Sequence, residues 1–169
     1  AHLVGDLPFM SYQVSISEAL RNAGSLLQKG GMDAVKLEGG RDRVPAIKAI
    51  VSAGIPVMGH LGLTPQSVHQ LGGWKVQATS KDAARILIED ALVLEDAGCY
   101  ALVLEAIPVE VATLVSRRLA IPVIGIGAGN GCDGQVLVAH DLLGLFDRFT
   151  PSFVKKYADL FSAMQQAFS

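Results

Sequence analysis

The sequence predicts an α/β fold in which parallel strands alternate with covering helices. Apolar runs typical of strands recur along the 169 residues, and helical patterns follow them. Runs such as ALVL and PVIGI are apolar without interruption, which is typical of parallel strands buried on both faces. The chain is 50% hydrophobic and 18% charged, so it can bury a sizeable core.

The predicted strands and helices follow one another in order. Strands are predicted over residues 2–9, 33–40, 55–63, 100–108 and 121–129, with a short sixth strand over 136–140. Helices are predicted over residues 15–31, 42–54, 80–98, 108–120 and 151–168. Ser15 or Ser17 is the candidate N-cap of the first helix, and Ser80 is that of the third. The connection over 64–80 exceeds the usual length of a strand-to-helix loop, and long ordered loops are often functional.

No shift in composition divides the chain, so we expect a single domain over residues 1–169. The alternation of strands and helices fits either an open doubly wound sheet or a (β/α)₈ barrel. The chain opens on a strand-like run without an initiator Met, so we expect it to be a fragment of a longer protein.

Composition also argues against several classes of partner. The net charge is −2 and no basic run stands out, so neither nucleic acid nor a membrane surface is expected as a partner. Cys99 and Cys132 lie far apart and form neither a metal motif nor a disulfide framework, which favours a reducing, cytoplasmic setting. No apolar run reaches the ~18 residues of a membrane span.

Ionisable residues lie near the carboxyl ends of four predicted strands, which is where both architectures gather their chemistry. They are Asp6, Lys36, Glu38, His60 and Glu105. The period-2 geometry of a strand puts Lys36 and Glu38 on one face, so both can reach one site. Structural interpretations stay open: Asp6 as a turn residue, Lys36 and Glu38 as a simple ion pair, and His60 as a core histidine. The glycine-rich run over 125–129 either shapes a tight turn or presents backbone N–H groups to an anion.

Together these residues predict a site for an oxo acid. Asp6 and Glu38 suit a hard divalent ion such as Mg²⁺, which prefers oxygen ligands. Lys36 suits a substrate carboxylate, and Glu105 is the candidate general base. A metal, a cation and a base around one pocket indicate enolisation of a keto acid, in which the divalent ion stabilises the enolate.

Six motifs carry a resemblance to a known family. They are DLPFMSY, VKLEGG, VMGHLGLTPQSV, LGGWKVQ, LVLEAIPVE and IPVIGIGAGNGCDGQVLV, in that order from about residue 3 to about residue 160. Together they resemble the ketopantoate hydroxymethyltransferases. The resemblance implies a TIM (β/α)₈ barrel of the phosphoenolpyruvate mutase/isocitrate lyase group. It also implies transfer of a hydroxymethyl group from 5,10-methylenetetrahydrofolate to 3-methyl-2-oxobutanoate, giving 2-dehydropantoate in pantothenate biosynthesis.

The resemblance also assigns roles to the strand-end residues. Asp6 is expected to bind Mg²⁺ and to lie at the substrate, and Glu38 is expected to belong to the metal site. Lys36 and His60 are expected to contact or neighbour the keto acid, and Glu105 is the expected general base. Family members are cytoplasmic and form homodecamers, so a homo-oligomer is expected.

One departure from the family pattern concerns the beginning of the chain. The family has a further strand pair before DLPF, whose Gly-Asp-Ser motif supplies a second metal-binding aspartate and a substrate-binding serine. This sequence contains no such motif, and 169 residues fall below the roughly 200 to 250 of a complete barrel. We therefore expect a barrel that lacks its first strands and is incomplete at the N-terminus. A tail missing at the C-terminus is a further expectation.

Two other functions compete with this hypothesis. One is a different Mg²⁺-dependent lyase or mutase acting on another 2-oxo acid without folate. The other is an inactive barrel fragment that is stable only with a partner chain.

Overall fold

Six strands form one sheet in the computed structural model, which describes residues 1–169. The strands are β1 (Val4–Asp6), β2 (Ala34–Glu38), β3 (Val57–Gly62), β4 (Ala101–Glu105), β5 (Val123–Ile126) and β6 (Gly134–Gln135). The helices are α1 (Ile16–Gly30), α2 (Val44–Ser52), α3 (Lys81–Asp96), α4 (Val109–Arg118), α5 (Ala139–Leu142) and α6 (Leu160–Phe168). Short 3₁₀ helices occupy Arg41–Arg43 and Pro65–Ser67. Not one helix combines the length and the apolar character that crossing a bilayer requires.

The strand order decides between the two predicted architectures. The sheet runs β1-β2-β3-β4-β5-β6, and the first five strands pair in parallel. A doubly wound sheet reverses its strand order at a switch point, whereas a barrel adds each strand to the same edge. The sequential order therefore belongs to the barrel type, and the predicted α/β class is confirmed.

Each face of the sheet has its own apolar cluster. Outward residues of the strands, such as Val35, Leu37 and Leu102, pack with buried residues of α1 to α4 in the main core. Met58, Val103 and Ile126 form a smaller cluster with side chains of the alternate parity. Because side chains alternate along a strand, the second cluster marks the opposite face of the sheet. The helices α1 to α4 thus cover one face, and the other face is free to hold a site.

Local signals set the ends of the helices. Ser15, rather than Ser17, caps α1, since its hydroxyl accepts from the N–H of Glu18. Ser80 caps α3 in the same way through the N–H of Ala83. Gly31 follows α1 in the left-handed conformation, which satisfies a carbonyl at the end of that helix.

Two predicted elements are wrong. The sixth strand was expected over 136–140, but β6 lies at Gly134–Gln135, and Ala139 and His140 begin α5. The terminal helix was expected over 151–168, but only Leu160–Phe168 is helical. The N–H of Tyr157 donates to Leu142 instead of a carbonyl one turn earlier, so the apolar spacing over 151–159 does not produce a helix.

The chain divides into two compact units, residues 1–134 and 135–169. Within the second unit, the N–H groups of Leu160 and Phe161 donate to the carbonyls of Leu143 and Gly144. Asp159 caps α6 by accepting from the N–H of Ser162. These bonds place the start of α6 beside the segment that follows α5.

The glycine pair of the KLEGG motif gives α3 room to approach the end of β2. Gly39 has a φ of 118°, a conformation that favours glycine. A Cβ at Gly40 would collide with the Asp90 carboxylate of α3. Asp90 in turn accepts from Nε of Arg41 at 2.6 Å, so this packing anchors the exit of β2.

Gly40→Ala should destabilise the fold by about 1–3 kcal/mol, because the added methyl group overfills this contact. Gly24→Ala is the matched control, since nothing lies within 4 Å of a Cβ there. In the helix interior this change should stabilise by about 1 kcal/mol. Urea unfolding measures both, and equal effects of the two substitutions would contradict the packing described.

Candidate functional site

Five polar side chains share the face of the sheet that α1 to α4 leave uncovered. Asp6 pairs in register with Lys36, Glu38 pairs with His60, and Glu105 pairs with Gly62. Each points to the same face as the smaller apolar cluster of Met58, Val103 and Ile126, away from the residues that pack on the helices. The structure therefore brings together all five residues that the sequence singled out.

Asp6 and Lys36 form an ion pair at the mouth of the site. Lys36 Nζ lies 2.9 Å from Asp6 Oδ1, and the Asp6 side chain is 62% exposed. An ion pair this open to solvent contributes at most about 1 kcal/mol. A ligand can therefore separate the two groups at small cost in free energy.

His60 lies between two carboxylates. Its Nε2 is 3.2 Å from Glu105 Oε2, and its Nδ1 is 3.7 Å from Glu38 Oε1. The imidazole is buried, yet neither nitrogen makes a hydrogen bond of good geometry. Buried polar atoms normally have such partners, and unpaired ones are typical of functional sites.

Glu38 is a buried carboxylate with a fixed orientation. The backbone N–H of Gln66 donates to its Oε2 at 2.9 Å. Burial raises the pKa of Glu38, while the Gln66 N–H, His60 and Lys36 oppose that rise. The charge of Asp6 adds to the rise in the pKa of Glu38.

Tyr12 bonds to the end of β2 and to Gln66. Its buried hydroxyl donates to Gln66 Oε1 at 2.7 Å and accepts from the N–H of Glu38 at 3.2 Å. Burial raises the pKa of the Tyr12 hydroxyl above its usual range. The hydroxyl therefore stays protonated and can act as a hydrogen-bond donor.

Some surroundings of the site differ from the sequence-based expectations. The Glu105 side chain is 18% exposed and adjoins His60. Gln66 and Tyr12 were not singled out, although both lie within the quoted motifs. Their uncharged side chains carry no catalytic signal in a sequence, and only their contacts reveal a role. In the glycine-rich run over 125–129, Gly125 and Ile126 end β5, and a Cβ at Gly129 would collide with Val109 at the start of α4.

The donor set fits a loosely held Mg²⁺ ion. The structure contains no group of three His, Cys, Asp or Glu side chains that could hold a metal. Mg²⁺ is commonly held by one or two carboxylates, with water and substrate oxygens completing its octahedron. Asp6 and Glu38 offer two carboxylates on one sheet face, from the adjacent strands β1 and β2, and so meet that requirement.

The fold and site define a class of protein, an α/β barrel-type fold with acids, an amine and an imidazole gathered at the strand ends. A sequence profile of the ketopantoate hydroxymethyltransferases matches residues 1–169. The chain belongs to the ketopantoate hydroxymethyltransferase family.

Curated relatives agree with this membership. A 3-methyl-2-oxobutanoate hydroxymethyltransferase from Syntrophobacter fumaroxidans is 60% identical over 167 residues, covering 99% of this chain and 59% of the relative. An enzyme of the same name from Oleidesulfovibrio alaskensis is 63% identical over 160 residues, covering 95% of this chain and 55% of the relative. The chain thus spans less than two thirds of the length of these relatives.

A solved structure supports the fold alone. The crystal structure of a proposed lyase/mutase from Burkholderia cenocepacia J2315 matches with a TM-score of 0.53 and 16% identity. The match covers 98% of this chain and 58% of that protein.

The raised pKa of Glu38 predicts a pH-dependent stability. Because burial places it above the ordinary 4.5, the folded state retains this proton when the unfolded state has lost it. The contribution of Glu38 to the free energy of unfolding therefore falls as pH rises from the pKa of the unfolded state to that of the folded state. Urea unfolding without metal should show Glu38→Gln gaining on the wild type as pH rises from about 4.5.

The exposed Glu110 provides the matched control for this measurement. Glu110→Gln should follow the wild type across the same pH range. A difference between Glu38→Gln and the wild type that stays constant with pH would contradict the prediction.

Proposed function

We propose that the protein carrying this chain transfers a hydroxymethyl group from 5,10-methylenetetrahydrofolate to 3-methyl-2-oxobutanoate, giving 2-dehydropantoate. Family membership supports this reaction. The observation that carries the proposal is the gathering of Asp6, Lys36, Glu38, His60 and Glu105 on one face of the sheet. These groups supply the binding and proton transfer that the oxo acid requires.

Glu105 is the proposed general base. Its carboxylate is the part of the His60 cluster that reaches solvent, so it can accept a proton from C3 of the oxo acid. A positioned base accelerates proton transfer by roughly 10²–10⁴-fold. His60 Nε2 is the nearest imidazole nitrogen, 3.2 Å from Glu105 Oε2.

Lys36 is the proposed partner of the substrate carboxylate, because its ammonium group lies at the mouth of the site beside Asp6. Asp6 and Glu38 are the residues that would hold Mg²⁺. When bound, the ion polarises the keto oxygen and so favours loss of the neighbouring proton. His60, between Glu38 and Glu105, is the proposed neighbour of the keto acid.

We also propose the wider properties that the family resemblance implies. Residues 1–169 form part of one barrel domain, which is incomplete in this chain. The whole protein is a cytoplasmic homo-oligomer, a decamer, that acts on small molecules and has neither nucleic acid nor membrane as a partner. Size measurement of the whole protein by light scattering tests the oligomeric state.

Glu105→Gln should slow deuterium exchange at C3 of 3-methyl-2-oxobutanoate by about 10²-fold or more, because the variant loses the proton acceptor. Proton NMR in D₂O with Mg²⁺ measures this exchange without folate. Glu110→Gln, on the exposed first turn of α4, is the matched control and should exchange at the wild-type rate. Normal exchange by Glu105→Gln would rule out this residue as the base.

Asp6→Asn should raise the Mg²⁺ concentration needed for half-maximal exchange by about tenfold or more, because a carboxylate ligand is lost. The exposed Asp96→Asn is the matched control. A Mg²⁺ titration of the exchange rate compares the two. Superimposable titrations of Asp6→Asn and the wild type would count against Asp6 as a metal ligand.

A further inference from the structure

Gln66 joins the exits of three strands. It lies in the 3₁₀ helix Pro65–Ser67, which begins three residues after the end of β3. Its side-chain Nε2 donates to the carbonyl of Leu7 at 2.9 Å, and Leu7 immediately follows Asp6 of β1. Its backbone N–H donates to the Glu38 carboxylate at the end of β2. One residue therefore touches the segments that carry both proposed metal-binding carboxylates.

The orientation of the Gln66 amide is fixed by its partners. Tyr12 donates its hydroxyl to Oε1 at 2.7 Å, and Gln13 Nε2 lies 3.4 Å from the same oxygen. The carbonyl of Leu7 can only accept, so it requires the NH₂ side of the amide. A glutamate at this position would face that carbonyl with an acceptor and lose the bond.

The contacts of Gln66 set the orientation of the Glu38 carboxylate and not its position on the strand. Glu38 stays on β2 through the strand pairing with β3. Its Oε2, however, is held by the backbone of Gln66, whose place depends on the side-chain bonds to Leu7 and Tyr12. Removing the amide should therefore let the carboxylate turn while the sheet remains intact.

We propose that Gln66 is a positioning residue, whose side-chain amide sets the relative placement of Asp6 and Glu38 for divalent-ion binding. The inference rests on the proposed function, because it takes these carboxylates as the metal ligands. Gln66 itself contacts no reacting atom. Residues that orient metal ligands typically change metal affinity or activity by about 10–100-fold when replaced.

The test compares Gln66→Leu with the wild type in the whole protein. Leucine has a similar volume but no amide, so the packing is kept and the side-chain bonds to Leu7, Tyr12 and Gln13 are lost. Gln70→Leu is the matched control, because Gln70 is exposed in the same connection. Electron paramagnetic resonance measures the Kd of Mn²⁺, used in place of Mg²⁺, and NMR measures kcat and KM for exchange at C3. Thermal unfolding shows whether each variant is folded.

The expected result is a Kd for Mn²⁺ raised about tenfold in Gln66→Leu, with lower kcat and a Tm close to that of Gln70→Leu. A Kd within twofold of the wild type would overturn the inference. If Gln66→Leu does not fold, Tyr12→Phe decides, since it keeps the ring and removes the hydroxyl that holds Gln66 Oε1 and that also bonds the backbone of Glu38. That variant should weaken Mn²⁺ binding in the same direction, and unchanged binding would overturn the inference.

The outcomes separate the two proposals. A wild-type protein that binds Mn²⁺ but does not exchange C3 hydrogen refutes the proposed reaction. The Kd for Mn²⁺ of Gln66→Leu then still tests the positioning role of Gln66. Wild-type exchange together with unaltered Mn²⁺ affinity in Gln66→Leu refutes the positioning role alone. A wild-type protein that binds no Mn²⁺ overturns both.

Discussion

The register of the parallel sheet is the constraint on which the site depends. Side chains alternate between the two faces along a strand. Because Val35, Leu37 and Leu102 are buried under the helices, the residues next to them in sequence point to the opposite face. A slip of one residue in β2 would send Lys36 and Glu38 into the apolar layer and expose Leu37. The apolar packing under the helices therefore fixes the chemistry on the opposite face.

Burial without full pairing defines the electrostatics of the site. Glu38 and His60 are both buried, and a buried charge is costly unless neighbouring groups compensate for it. Glu38 receives one backbone hydrogen bond and lies near an imidazole, and its pKa is still raised. This imbalance is typical of functional sites, where groups are held ready for a ligand instead of being satisfied within the protein.

The sequence predicted much of the fold, and it selected the charged residues of the candidate site, for physical reasons. Continuous apolar runs, serine caps and terminal glycines are local signals, and they located five strands and the first four helices. Charged residues at apolar strand ends are conspicuous, so Asp6, Lys36, Glu38, His60 and Glu105 could be selected. Gln66 and Tyr12 act through contacts between segments 54 residues apart, which no local pattern encodes. The segment over 151–159 shows the converse, since a helical pattern there was overridden by a hydrogen bond from Tyr157 to Leu142.

The pairing of Lys36 with Asp6 has a consequence for the order of assembly under the proposed function. The ammonium group and a divalent ion compete for the same oxygen atoms of Asp6. An oxo acid whose carboxylate attracts Lys36 frees those atoms, and an ion that occupies them releases Lys36 toward the oxo acid. By thermodynamic reciprocity each ligand then tightens the binding of the other, by at most about 1 kcal/mol, which is what so exposed an ion pair contributes.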